Sequence, residues 1–164
     1  MGRGFTEHRM LVFNSLVQER MVMASGYRIA VAGAGSPAGR ELFRILEERN
    51  FPVQEIIPLE IKGSLGSEIQ YRDQDLALRL LEEKNLKAMD MVFFSDHTKA
   101  AKELRKCPAL KGAFVIDLTS CSRMDEEVPL IVPEINARKL TGERGIIACP
   151  SPAAVQLALV LYPI

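Results

Sequence analysis

From Tyr27 onward the chain alternates short apolar runs with segments whose apolar residues recur every three or four positions. Residues 28–32 and 53–59 are runs of strand length, and between them residues 37–49 set Leu42, Ile45 and Leu46 on one helical face. That order predicts a βαβ unit. Further strands are expected at residues 91–95, 114–118 and 146–148, with helices at 98–105 and 153–161, the first of which Pro108 stops. Residues 75–84 fit two periods at once: Leu76, Leu78 and Leu80 alternate as in a strand, while Leu80, Leu81 and Glu83 suit a helix. Repeated strand and helix alternation predicts an α/β fold, a doubly wound and mostly parallel sheet with helices on both faces. No internal repeat or low-complexity linker interrupts it.

Residues 1–25 stand outside this pattern. Leu11, Leu16, Val17 and Met21 give a weak helical stripe, and Glu7, Glu19 and the missing small-residue cleavage site argue against a signal or transit peptide. Met21 and Met23 lie just before the first strand, so the segment reads as a poorly ordered extension from a mis-assigned start. The alternative, an amphipathic partner helix, has poor periodicity. The domain proper is then residues 26–164.

Composition mainly excludes. A chain of 164 residues that is 48% hydrophobic suits one domain with a sizeable core, or one domain of a longer protein. Its 21 basic and 21 acidic residues cancel, which removes the electrostatic case for nucleic acid or an anionic membrane as partner. Cys107, Cys121 and Cys149 are an odd number, widely spaced and without a Cys-x-x-Cys pair, so neither a disulfide framework nor a zinc site is indicated. A cytoplasmic location is the default. No apolar run approaches the about 18 residues that span a bilayer.

The first turn between strand and helix carries a ligand signal, in Gly33-Ala34-Gly35-Ser36-Pro37-Ala38-Gly39. Gly33 permits the sharp turn, Gly35 lets a phosphate approach the backbone, and Gly39 lets the helix pack closely on the strand. Ser36 and Pro37 supply an N-cap and first-position pair, and N–H groups of the opening helical turn would hold a pyrophosphate. Strand before and helix after is the context in which such glycines mark a Rossmann-like dinucleotide site, while a ligand-free glycine turn is the bland reading. Cofactor choice falls just after the second strand. There Glu60 suits a ribose diol and Lys62-Gly63-Ser64 suits a 2′-phosphate, so NAD and NADP both stay open.

A second turn of the same kind runs from Ile146 to Gln156, an apolar strand leading into a helix through Cys149-Pro150-Ser151. The first helical position lies over unsatisfied N–H groups and the positive dipole end, where a thiol becomes a reactive thiolate. Pro152 holds that position. With Ser151 as N-cap the helix start is well made, yet the group that could attack a carbonyl is missing.

With these segments in view, residues 27–164 resemble the N-terminal coenzyme-binding domain of aspartate-semialdehyde dehydrogenase. The resemblance is carried by residues 33–42, by Glu48-Arg49-Asn50-Phe51-Pro52-Val53, and by residues 115–120 with Arg123-Met124-Asp125. Residues 128–136, Val-Pro-Leu-Ile-Val-Pro-Glu-Ile-Asn, and Gly145-Ile146-Ile147-Ala148 complete it. The family reduces an acyl phosphate to an aldehyde with NADPH through a thioester on a cysteine, in a Gly-Ile-Ile-Ala-Asn-Pro-Asn-Cys-Ser-Thr motif. Here Pro152 replaces that nucleophile and Cys149 replaces the first asparagine. Cys149 lies three residues early, at the strand end, and reads as a small buried hydrophobe rather than a relocated nucleophile.

The resemblance implies that Arg123 binds the substrate phosphate, against the alternative of an arginine that anchors its loop. Two further departures touch the cofactor. The family's Ala-Gly-Gly after the 91–95 strand becomes Asp96-His97-Thr98, and its 2′-phosphate arginine becomes Gly63, for which Lys62 and Ser64 substitute in part. Asp96 brings negative charge toward the ligand, and His97 reads as an ordinary polar loop residue rather than a base. The second domain, with the general-base histidine and the dimer interface, is expected to be absent, so a homodimer is expected only where that domain is supplied. This pattern resembles the Usg-type paralogues, dehydrogenase-like proteins without the catalytic cysteine. Three functional classes follow: a non-catalytic dinucleotide-binding domain, the N-terminal portion of an active semialdehyde dehydrogenase, and an interaction module that has lost nucleotide.

Overall fold

The computed structural model describes residues 26–61, 66–140 and 144–162. The expected extension at residues 1–25 lies outside them. Among the described residues eight strands and four α-helices follow one another: β1 (Tyr27–Ala32), α1 (Pro37–Glu48), β2 (Val53–Glu60), β3 (Glu68–Tyr71), β4 (Gln74–Ala77), β5 (Arg79–Leu80), β6 (Met91–Phe94), α2 (Thr98–Leu104), β7 (Phe114–Asp117), α3 (Pro133–Asn136), β8 (Ile146–Ala148) and α4 (Pro152–Leu161). Six strands form one sheet in the order β5-β2-β1-β6-β7-β8, and every pair within it is parallel. Counting β5 as the third strand of the sheet, this is the doubly wound, Rossmann-like order, whose switch point lies between β1 and β6. In a parallel sheet all strand ends of one kind share a rim. The glycine turn after β1 and the turn after β8 therefore stand on the same rim, separated by β6 and β7, or about 14 Å at three strand spacings.

Alternation along β1 builds two cores. Ile29 and Val31 face α1, where they pack with Phe43 and Leu46 and with Ile69, Tyr71 and Leu78. Ala30 and Ala32 face the other way, with Val92 and Phe94 of β6, Val115 of β7 and Ala101 of α2. Helices thus cover both faces. The face of α1 differs in detail from the pattern expected of Leu42, Ile45 and Leu46: Gly39, Phe43 and Leu46 are its buried residues. Full burial of a side chain such as Phe43 or Leu46 stabilises the domain by roughly 1.5–3 kcal/mol.

Residues 75–84, with their double periodicity, split between both readings. Leu76 lies in β4 and Leu80 in β5, after which Glu83–Leu86 form a turn of 3-10 helix. The antiparallel hairpin of β3 and β4 was not legible, because its turn at Arg72-Asp73 contains no glycine or asparagine; Arg72 instead takes φ +54°. Helix α4 starts at Pro152, is apolar at every position but Gln156, and has no buried residue.

Glycine at position 39 is a steric requirement. A Cβ there would lie 2.4 Å from the Gly33 carbonyl oxygen and 2.8 Å from Ala34 Cα, and both are backbone atoms that cannot swing aside. Gly39→Ala is expected to destabilise the domain by about 1–3 kcal/mol in denaturant unfolding, the usual cost of overpacking. An unchanged midpoint would show that α1 can move off β1.

Candidate functional site

At the switch point β1 ends in Gly33, whose φ of +82° turns the chain sharply. The N–H groups of Gly33 and Ala34 both donate to the Leu59 carbonyl, and that of Ser36 donates to Gly33, which ties the turn to the end of β2. Ser36 caps α1: its Oγ accepts the Gly39 N–H at 3.0 Å. Pro37 has no N–H, and the Arg40 N–H donates to the Ser36 carbonyl. The opening turn of α1 therefore offers a ligand less than its sequence promised, since among the described residues the exposed Ala38 supplies its free N–H. Arg40 lies beside it, with Nε donating to the Gly35 carbonyl at 3.2 Å.

Glu60, the last residue of β2, is 2% exposed. Its Oε2 accepts the Gly35 N–H at 3.1 Å and its Oε1 accepts the Ile61 N–H at 3.0 Å. The same Oε1 pairs with His97 Nε2. A Cβ on Gly35 would lie 3.0 Å from Glu60 Oε2. Gly35 thus opens its backbone toward this carboxylate, while Lys62 and Ser64, the other candidates for the ribose end, lie outside the described residues.

The loop after β6 closes the other side. Ser95 Oγ lies 2.9 Å from the carbonyls of both Ala32 and Gly33, and 3.4 Å from Ser36 Oγ. A Cβ on Gly33 would meet Asp96 Cβ at 2.8 Å, so Asp96 sits directly over the turn. His97 takes a left-handed backbone, φ +59°, and its N–H donates to Asp96 Oδ1 at 2.6 Å. The left-handed region is uncommon for residues other than glycine, although histidine enters it more readily than most.

Farther along the rim, Asp117 at the end of β7 is fully buried. Its Oδ1 accepts from Thr119 Oγ1 at 2.6 Å and Thr119 N–H at 2.8 Å, and its Oδ2 lies 3.0 Å from Cys121 Sγ. Burial raises the Asp117 carboxyl, but hydrogen bonds led by Cys121 outweigh it and hold the group below the ordinary carboxylate range. Arg123 donates from Nε to the Cys149 carbonyl and from Nη2 to the Leu118 carbonyl, both at 2.9 Å. Two of its N–H groups thus clamp the ends of β7 and β8 together.

Cys149 follows β8, and its N–H donates to the Asp117 carbonyl at 2.8 Å. Its thiol is half-buried. Burial pushes the thiol above its ordinary value, the Asp117 charge adds to this, and Arg123 opposes without reversing it. Two residues on, Ser151 Oγ accepts the Ala154 N–H at 3.3 Å, and Pro152, the third, is the first residue of α4. The structure thus gathers Gly33, Gly35, Ser36, Pro37, Ala38 and Gly39 around the switch point with Glu60, Asp96 and His97. It sets Arg123, Cys149 and Pro152 apart, beyond β6. No group of three or more His, Cys, Asp or Glu suited to a metal ion occurs among the described residues.

A raised thiol pKa leaves little thiolate at neutral pH. Cys149 is expected to react with iodoacetamide at pH 7 at least several-fold more slowly than free cysteine, with the rate climbing only in the alkaline range. Peptide mapping of time points checks this. Alkylation as fast as free cysteine at pH 7 would mark an activated thiolate.

Residues 28–142 match the family model described as semialdehyde dehydrogenase, NAD binding domain. The chain is 37% identical over 142 residues to the aspartate-semialdehyde dehydrogenase of Aquifex aeolicus (strain VF5), a span of 85% of this chain and 42% of that protein. It superposes on aspartate semialdehyde dehydrogenase II of Vibrio cholerae, solved in complex with ASA, with a TM-score of 0.75 and 29% identity over 84% of this chain and 46% of that one. Aspartate semialdehyde dehydrogenase of Candida albicans, solved with NADP, shares the fold at a TM-score of 0.68 and 18% identity, over 84% of this chain and 46% of that one. The chain spans less than half the length of these relatives. It therefore belongs to the semialdehyde dehydrogenase family, as that family's NAD-binding domain.

Proposed function

We propose that this domain binds a nicotinamide dinucleotide at the switch point and does not perform the thiol-dependent chemistry of its relatives, in the manner of the Usg-type paralogues. Pro152 carries the second half of that reading. It occupies the first position of α4, where a nucleophilic thiol would be acidified by the helix, and it has neither sulfur nor an N–H. Cys149 does not replace it. Its thiol is raised, not lowered, and its backbone on both sides is engaged by Asp117 and Arg123.

The residues around the switch point fit a dinucleotide. Gly33 and Gly39 bring the helix start against the end of β1, and Ala38 N–H, Ser36 Oγ and the Arg40 guanidinium stand where a pyrophosphate would lie. A bound nicotinamide supplies or accepts hydride. Arg123, which resemblance assigns to the substrate phosphate, serves here as a clamp between strand ends, since two carbonyls take its donors. A second role, contact with another protein surface, is favoured by the mostly apolar and unburied α4, where Leu157 and Val160, with Tyr162 at its C-cap, are all at least 60% exposed.

Two measurements test the reading. In a calorimetric titration the domain binds NAD or NADP, and Gly35→Val abolishes that binding by at least about tenfold because the larger side chain fills the approach to the backbone. Unchanged affinity in Gly35→Val would move the nucleotide elsewhere. In the second, formation of reduced cofactor from aspartate semialdehyde and phosphate is followed for the wild type and for Cys149→Ala. Both should stay at background. Turnover by the wild type that is lost in Cys149→Ala would make Cys149 a nucleophile and refute the inactive reading.

A further inference from the structure

Glu60 has a feature that the dinucleotide reading leaves unused. It is a buried carboxylate at the carboxyl end of the strand beside β1, the place from which an acidic side chain reaches the ribose of a bound dinucleotide. Its orientation is fixed by backbone, because the Gly35 and Ile61 N–H groups each hold one of its oxygens. A carboxylate offers about four acceptor positions. The third is taken by His97 Nε2, and among the described residues no lysine or arginine pairs with Glu60.

We propose, on the basis of the dinucleotide reading above, that Glu60 restricts the site to dinucleotides with a free ribose 2′-hydroxyl, and that His97 holds the carboxylate until the ribose displaces it. A diol donates hydrogen bonds and suits an acceptor whose other positions are filled by N–H groups. A 2′-phosphate brings up to two further negative charges to that carboxylate and has no hydrogen bond of its own to donate to it. Like charges about 4 Å apart repel strongly in a partly buried site. Asp96, over Gly33 on the opposite side of the turn, adds a second carboxylate to the same crevice. The pair of Glu60 and His97 joins the end of β2 to the loop after β6 and so crosses the end of β1. A ribose seated on Glu60 takes the position of the imidazole. His97, 23% exposed at its side chain, has solvent to move into.

The test is a fluorescence titration of NADH and NADPH into the full chain, as wild type, Glu60→Gln and His97→Ala, with folding checked by thermal unfolding. The wild type is expected to bind NADH at least about tenfold more tightly than NADPH, a conservative bound for repulsion between charges in a partly exposed crevice. Glu60→Gln keeps an acceptor for the Gly35 N–H but removes the charge, and should bring the two affinities within about threefold. His97→Ala should tighten NADH several-fold while leaving the preference in place. Wild-type binding of NADPH as tight as that of NADH, or a preference unchanged in Glu60→Gln, overturns the assignment of Glu60 and leaves the dinucleotide reading standing. Weaker NADH binding in His97→Ala overturns the displacement of His97. Failure of the wild type to bind either dinucleotide overturns the underlying reading and this inference with it.

Discussion

The rim of the sheet is organised by how closely α1 approaches β1. Gly39 lies so near the Gly33 carbonyl and Ala34 that no Cβ fits between them, and this contact fixes where the helix begins. Because the helix begins there, Ser36 can cap it and still come within 3.4 Å of Ser95 on the neighbouring strand's loop. The same approach brings Gly35 over the end of β2, within reach of Glu60. A looser helix would leave each of these groups searching for a partner. Close backbone contact, rather than any one polar interaction, makes the switch point a shaped crevice.

The domain builds this kind of turn twice and gives the two copies different electrostatics. At both Ser36-Pro37 and Ser151-Pro152 a serine caps the helix and proline supplies a first position that needs no N–H. At the first turn the N–H groups of Gly33, Gly35 and Gly39 are taken by Leu59, Glu60 and Ser36, and among the described residues Ala38 keeps its own free. At the second, Pro152 brings no ionisable side chain to the helix start, and the nearby Cys149 thiol lies after a strand end where burial and the Asp117 charge oppose ionisation. Three residues separate a position that would acidify a cysteine from one that suppresses it.

Much of the fold was legible because its strands are buried on both sides. Residues 28–32, 53–59, 91–95 and 114–118 read as strands from their apolar runs, and the helix after β1 announced itself by Ser36, Pro37 and a three-to-four spacing. The β3–β4 hairpin was hidden because Arg72 takes a left-handed backbone without the glycine or asparagine that signals one. Phe43 escaped because neighbouring Leu42 and Ile45 satisfy the helical period equally well, and only packing against Tyr71 and Ile29 selects it. At the site, spacing marked the glycines but said nothing of pairing between Glu60, at the end of β2, and His97, in the loop after β6, with β1 between them. That contact comes from strand order. No local pattern encodes it.

Strand order also explains why carboxylates recur along this rim. In a parallel sheet the chain leaves every strand at the same edge, and the loops that follow present backbone N–H groups to be satisfied. Glu60 accepts from Gly35 and Ile61, Asp96 from His97, and Asp117 from Thr119. The protein thus meets many of its own exposed donors with built-in anions. A ligand group that accepts hydrogen bonds would therefore meet N–H groups that are already occupied. Ligand groups that donate hydrogen bonds face no such competition, because fixed carboxylates are acceptors. The rim therefore offers more fixed acceptors than free backbone donors.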